Sequence, residues 1–132
     1  MTYMLDINIC IGLLNGTLSE TLTARILGLQ PADFVLSAVC VAELYFGARK
    51  SARVDYNLSR VSTFVEPFAI APFDKKSAHH YGMIRTTLER AGTPIGANDL
   101  LIAASALSLD ACLMTKNVGE FSRVPGLRVY AE

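Results

Sequence analysis

The chain has 132 residues, 52% of them apolar and 18% charged, which is enough nonpolar sequence to bury a core and excludes disorder, a collagen-like repeat and a disulfide scaffold. Twelve Lys and Arg are balanced by twelve Asp and Glu, so gross positive charge is not available to hold a polyanion, and any such partner must be gripped locally. The longest apolar stretch, Leu100 to Leu109, falls short of the roughly 18 residues of a membrane span; with no basic-then-apolar order at the N-terminus, a cytoplasmic protein without a membrane partner is expected.

In chain order, Tyr3-Met-Leu-Asp6 is a short apolar run that ends in a carboxylate and predicts a first strand. Thr17-Leu-Ser-Glu20 has capping-box spacing, and Leu18, Leu22, Ile26 and Leu29 then share one helical face. Phe34-Val-Leu-Ser37 predicts a second strand, after which Ser37 caps a helix through about Lys50. Leu58, Val61 and Val65 mark a helix that must stop near Pro67, and Phe68-Ala-Ile-Ala-Pro-Phe73 suits an edge strand because Pro72 cannot donate to a ladder. Asp74 caps the most polar helix, with Ala78, Tyr81, Ile84, Leu88 and Ala91 inward and Gly92 just past its end. The last long helix begins near Asn98-Asp99 and is apolar almost all round, so it belongs deep in the fold. Ala111-Cys-Leu-Met-Thr115 and Leu127-Arg-Val-Tyr130 complete the set of strands. Continuous rather than alternating apolar strands require a sheet covered on both faces. The expectation is one α/β/α domain over residues 1–132, its central, mostly parallel sheet of four to five strands flanked by helices.

In such a sheet ligands bind beyond the carboxyl ends of the strands. Asp6 ends the first strand, Thr115 and Asn117 follow the strand that starts at Ala111, and Glu120 comes within a turn of them. Asp99 lies at a helix N-terminus, and Glu43 projects beside Val39, Phe46 and Gly47 on its helix. A carboxylate on an apolar face needs a cation or a hydrogen-bond donor. Taken singly, Asp6 and Asp99 suit helix caps, Glu43 suits a buried ion pair and Glu120 suits a solvated loop. Converging at one sheet edge, the four would repel unless a hard divalent cation sat among them, and Mg²⁺ or Mn²⁺ is the ion that carboxylates select without Cys or His.

Other groups point less far. His79 and His80 lie about 100° apart around a helix and cannot chelate one ion. Gly92-Thr-Pro-Ile-Gly96 lacks the ending of a phosphate-binding P-loop, and Ser37, Ser77, Ser105 and Ser108 have no His and Asp company for a hydrolase triad. Cys10, Cys40 and Cys112 sit among apolar neighbours, where the thiol acts as a small hydrophobe. Arg49, Lys50 and Arg53 form either a solvated helix end or a phosphate-gripping rim.

Met4-Leu-Asp-Ile-Asn-Ile-Cys10, Val41-Ala-Glu-Leu-Tyr-Phe-Gly-Ala48, Thr93-Pro-Ile-Gly-Ala-Asn-Asp-Leu-Leu-Ile-Ala-Ala104 and Met114-Thr-Lys-Asn-Val-Gly-Glu-Phe-Ser-Arg-Val-Pro-Gly-Leu127 together resemble the successive motifs of PIN-domain ribonucleases, above all the VapC toxins of type II toxin–antitoxin systems. The resemblance implies a catalytic, metal-holding set of Asp6, Glu43, Asp99 and Glu120, supported by Thr115 and Asn117, with Asp6 and Asp99 as direct ligands of Mg²⁺ or Mn²⁺. It also implies cleavage of RNA, tRNA above all, a homodimer, and a cognate antitoxin protein that covers the site. Lys116 at the site mouth and Arg49, Lys50 and Arg53 become RNA-contacting candidates. With the four site acids set aside, twelve basic side chains face eight acidic ones, a balance mildly attractive to phosphate. The helices around Ala24 to Leu29 and Leu58 to Val65 are the expected dimer contributors. The family pattern places a hydroxyl residue directly after the first Asp, where this chain has Ile7. Two rivals stay open: a PIN domain weakened by Ile7 that works mainly by binding RNA or a partner, and a phosphorelay receiver domain, for which the chain lacks the acidic pair beside the first strand.

Overall fold

A computed structural model describes residues 1–130 and forms strands where the apolar runs fall: β1 (Tyr3–Leu5), β2 (Phe34–Ser37), β3 (Ala69–Ala71), β4 (Cys112–Met114) and β5 (Arg128–Tyr130). They pair in the order β3-β2-β1-β4-β5, and every pairing is parallel. Parallel neighbours need crossovers that cover both faces of the sheet, and β1, β2 and β4 are accordingly buried at every position. From β1 the chain winds outward through β2 and β3, then returns to the other side through β4 and β5. The junction of β1 and β4 is therefore the topological switch point, where a ligand crevice opens at the carboxyl ends.

Among the described residues seven α-helices cross between the strands: α1 (Ile7–Asn15), α2 (Glu20–Leu27), α3 (Ala38–Arg49), α4 (Val54–Val65), α5 (Lys75–Arg90), α6 (Ala97–Ser108) and α7 (Val118–Phe121). Side chains beside the first turns fix where several begin. Ser37 Oγ accepts from the Cys40 N–H and Asp74 Oδ1 from the Ser77 N–H, each satisfying an amide that an N-terminus leaves without a helical partner. The cap of α2 is Ser19, which accepts from the Leu22 N–H, and not Thr17. Thr17 instead closes the end of α1: Gly16 turns the chain with φ 67°, and the Thr17 N–H then reaches the Gly12 carbonyl.

The core has two halves, one on each side of the sheet. Leu5 and Leu36 meet Ile9, Cys40, Leu44 and Val61 under α1, α3 and α4. Met4 and Val35 meet Ile84, Ile102, Leu113 and Phe121 under α5, α6 and α7. The stripe Leu58, Val61 and Val65 packs against the first half, with Val61 buried and Leu58 and Val65 half-buried. On α5 the inward line runs through Ser77, half-buried Tyr81, Ile84 and Leu88, whereas Ala78 is exposed because it lies one position around the helix from that line, and Ala91 because it follows the last helical residue. The Ser77 hydroxyl spends its buried position in a bond to Ser108 Oγ.

Candidate active site

Strand register brings the first two groups together. Leu5 pairs with Met114 across β1 and β4, so the residues that follow, Asp6 and Thr115, emerge side by side at the carboxyl edge. Thr115 Oγ1 donates to Asp6 Oδ2 at 2.7 Å, and the Ile7 N–H donates to Oδ1 at 2.8 Å. Asp6 thus starts α1 while its carboxylate, only 2% exposed, stands at the crevice. Burial pushes its pKa up, the two donors hold it back, and the charge of Glu120 adds to the rise.

Asp99 projects from the first turn of α6, and Glu120 from α7 leans across the same helix start. Glu120 Oε1 accepts from the Gly96 N–H at 2.7 Å and Oε2 from Asn117 Nδ2 at 2.7 Å. Glu120 therefore serves an amide at the head of α6, where the helix dipole also favours negative charge. Those donors keep Glu120 below the usual carboxylate range. Asn117 Nδ2 also lies 3.5 Å from Asp99 Oδ2. Burial, then the neighbouring Glu120, push Asp99 up to about 6, and the Asp6 charge contributes in the same direction. Asn117 owes its position to Thr115, whose Oγ1 accepts from the Asn117 N–H at 2.9 Å.

Glu43 is the acid that the structure sets apart. It is half-buried on α3 and held by Asn98 Nδ2 at 3.1 Å, the hydrogen-bond donor rather than the cation of the two partners its apolar neighbours called for. Those neighbours are less enclosing than the sequence implied, for Phe46 is 59% exposed. Asn98 and Gly96 are positioning residues that sequence reasoning missed. Their signal was only adjacency to Asp99; the contacts themselves span 55 and 24 residues.

The donor set fits a hard divalent cation. All four acids offer oxygen, and Asp6, Asp99 and Glu120 crowd closely enough to raise one another's proton affinity or share donors, a charge excess that such an ion neutralises. Among the described residues no three His, Cys, Asp or Glu side chains are already gathered around one ion position; Glu120 is turned toward Gly96 and Asn117, and Glu43 toward Asn98.

The basic candidates lie outside this cluster. Arg49 and Lys50 end α3, with Lys50 Nζ 5.2 Å above the Phe46 ring, and Arg53 precedes α4 with its guanidinium 3.9 Å above Tyr56. Lys116 is exposed directly after Thr115. His79 is exposed and His80 half-buried, with ring centres 6.3 Å apart. All three cysteines are free and buried, but Cys10 and Cys40, far apart in sequence, bring their sulfurs within 3.7 Å under α1 and α3.

The chain matches the PIN domain family over residues 3–127. It is 38% identical over 127 residues to ribonuclease VapC2 of Rickettsia felis, covering 96% of this chain and 95% of that protein. It is 35% identical over 129 residues to the tRNA(fMet)-specific endonuclease VapC of Salmonella typhimurium, covering 98% and 96%. Among solved structures, DNA-bound VapBC from Salmonella typhimurium superposes with a TM-score of 0.91 at 35% identity, over 98% of this chain and 97% of that one. A wholly parallel five-stranded sheet, acids at its switch point and kinship over nearly the full length agree: the chain belongs to the PIN-domain family, among the VapC ribonucleases.

Proposed function

We propose that this protein is a divalent-metal-dependent endoribonuclease that cuts tRNA and serves as the toxin of a toxin–antitoxin pair in the cytoplasm. The observation that carries the reading is the meeting of Asp6, Asp99 and Glu120 at the switch point between β1 and β4. The ribonuclease and tRNA-endonuclease relatives support the reaction class, and the VapBC complexes support a cognate antitoxin.

Asp6 and Asp99 would hold Mg²⁺ or Mn²⁺, with Glu43 and Glu120 holding its waters. Such an ion supplies charge neutralisation at the scissile phosphate and a water of lowered pKa. Thr115 fixes the carboxylate plane of Asp6, and Asn117 spans Asp99 and Glu120 so that the two acids keep one spacing. Glu120, kept ionised by Gly96 and Asn117, retains the charge that orders water near neutral pH. Lys116, at the mouth, is placed to meet a substrate phosphate.

Purified protein incubated with bulk tRNA and Mg²⁺ should yield discrete fragments, and EDTA should abolish them. Intact tRNA under both conditions would overturn the reading. The binding-module alternative rests on Ile7, but the Asp6 carboxylate keeps a donor on each oxygen without a hydroxyl at that position. A homodimer is part of the proposal, supported by exposed Leu27 on α2 and by the half-buried Leu58 and Val65 on α4.

A further inference from the structure

Beyond Thr115, on the side of the site opposite Glu43, a cleft of about 440 Å³ opens between the start of α2 and the ends of β4 and β5. Its volume falls in the range of small-ligand sites, roughly 300 to 1,000 Å³. Leu18 and Leu22 form an apolar wall, Tyr130 presents an aromatic ring, and Thr17, Thr115 and Lys116 bring polar groups to the rim. The register that sets Asp6 beside Thr115 also pairs Met114 with Tyr130, so the ring stands at the same sheet edge as the acids. Arg25 of α2 lies 5.8 Å from the Tyr130 ring centre and donates to Tyr3 Oη at 3.1 Å, tying α2 to the sheet and backing the ring. None of the residues lining the cleft is acidic, although the acid cluster begins at Asp6, the hydrogen-bond partner of Thr115. Lys116 is exposed and has no ion-pair partner among the described residues.

A ligand for this cleft has a flat ring to lie against Tyr130 and the leucines, and a negative group for Lys116. We propose that the cleft binds one nucleotide of the substrate strand next to the scissile phosphate, its base against Tyr130 and its phosphate at Lys116. The identity of the ligand rests on the ribonuclease reading; the cleft, its ring and its lone cation do not. Stacking on an aromatic face tolerates any base, while the hydroxyls of the rim can favour some base edges over others. A stacked base also has to be out of its helix, so the cleft selects unpaired positions of a folded RNA.

The test uses the full chain in EDTA, titrated by NMR with each of the four nucleoside monophosphates, with ribose 5-phosphate and with inorganic phosphate. The nucleotides should shift amide signals of Leu18, Leu22, Lys116 and Tyr130 at millimolar concentration. Tyr130→Ala, which removes the ring, and Thr17→Trp, which fills the mouth, should each weaken binding about tenfold, the loss of one stacked base, while Lys75→Ala, at an exposed position on α5 away from the cleft, leaves it unchanged. Equal affinity for inorganic phosphate or ribose 5-phosphate would reduce the cleft to a phosphate grip and overturn the proposal. So would RNA cleavage by a wild-type protein that binds no nucleotide there. Nucleotide binding without any RNA cleavage would instead leave the cleft standing and overturn the ribonuclease reading.

Discussion

Asp6 shows how much one carboxylate depends on its donors. Each of its oxygens already receives a hydrogen bond, one from the backbone at Ile7 and one from Thr115. The sequence pattern alone suggests that Ile7→Thr would raise activity by restoring a missing hydroxyl. With Oδ1 and Oδ2 both served, the expected outcome is a cleavage rate within about threefold of wild type, whereas Thr115→Val should lower the rate 10- to 100-fold, the usual cost of freeing a site carboxylate from its supporting bond. Single-turnover cleavage of a tRNA substrate decides it, and a Thr115→Val protein as fast as wild type would remove Thr115 from the site. Asp99 carries a second prediction at this scale. In the folded chain it holds its proton to about pH 6, against 3.8 for the free side chain. The folded state thus binds that proton more tightly than the unfolded chain. Its contribution to stability is greatest at low pH, falls as pH rises between about 4 and 6, and stays at the lower level above that window. Asp99→Asn should therefore abolish metal-dependent cleavage yet raise the melting temperature of the metal-free protein above pH 6, by an amount worth about 1 kcal/mol or less because the group is partly solvated and screened. Thermal melts in EDTA at pH 4 and pH 7.5 test the sign: the gain should appear only at the higher pH.

Elements differ in how openly the sequence announces them. β1, β2 and β4 were legible because a strand buried on both faces has to be apolar at every position, and α3 and α5 were legible because Ser37 and Asp74 supply the oxygen that a free helix amide needs. Helix α1 was not. Ile7, Ile9 and Ile11 alternate with smaller or polar residues as a strand would, and the helix forms where Asp6 starts it, Gly16 ends it and Ile9 and Cys10 pack with Leu5 and Cys40. The acids were legible as types at a sheet edge, but the Asn98 bond to Glu43 and the Gly96 bond to Glu120 exist only once α3, α6 and α7 have docked. Capping can be weighed directly. Ser37 is fully buried and its hydroxyl lies 3.0 Å from the Cys40 nitrogen. Ser37→Ala should destabilise the protein by about 1 kcal/mol, with 2 kcal/mol as an upper value, and lower its melting temperature by roughly 4 °C. An unchanged melting temperature would mean that α3 is fixed by packing alone.

Across the whole molecule, the balance of charge leaves affinity for RNA to local groups. The acid cluster at the switch point repels a phosphate backbone until a cation neutralises it, so the exposed cations elsewhere must supply the sequence-independent part of binding. Arg49, Lys50 and Arg53 stand together at the corner where α3 turns into α4, one to three turns beyond Glu43 along the chain, and two of them lie over exposed aromatic rings, Phe46 and Tyr56. A cation held on an aromatic face is pre-positioned without being neutralised, because the ring has no net charge. Replacing all three with Ala should weaken tRNA binding and flatten the plot of its logarithm against that of salt, by up to about 0.9 for every duplex phosphate no longer neutralised and about 0.7 for every single-stranded one. Metal binding should be unaffected, since none of the three touches Asp6, Asp99 or Glu120. Filter binding in Ca²⁺ across a salt series, beside calorimetry of Mn²⁺ uptake, separates the two effects. If the triple variant keeps the wild-type salt slope, the corner is a solvated helix end, and the phosphates are held by Lys116 and the neighbouring cleft.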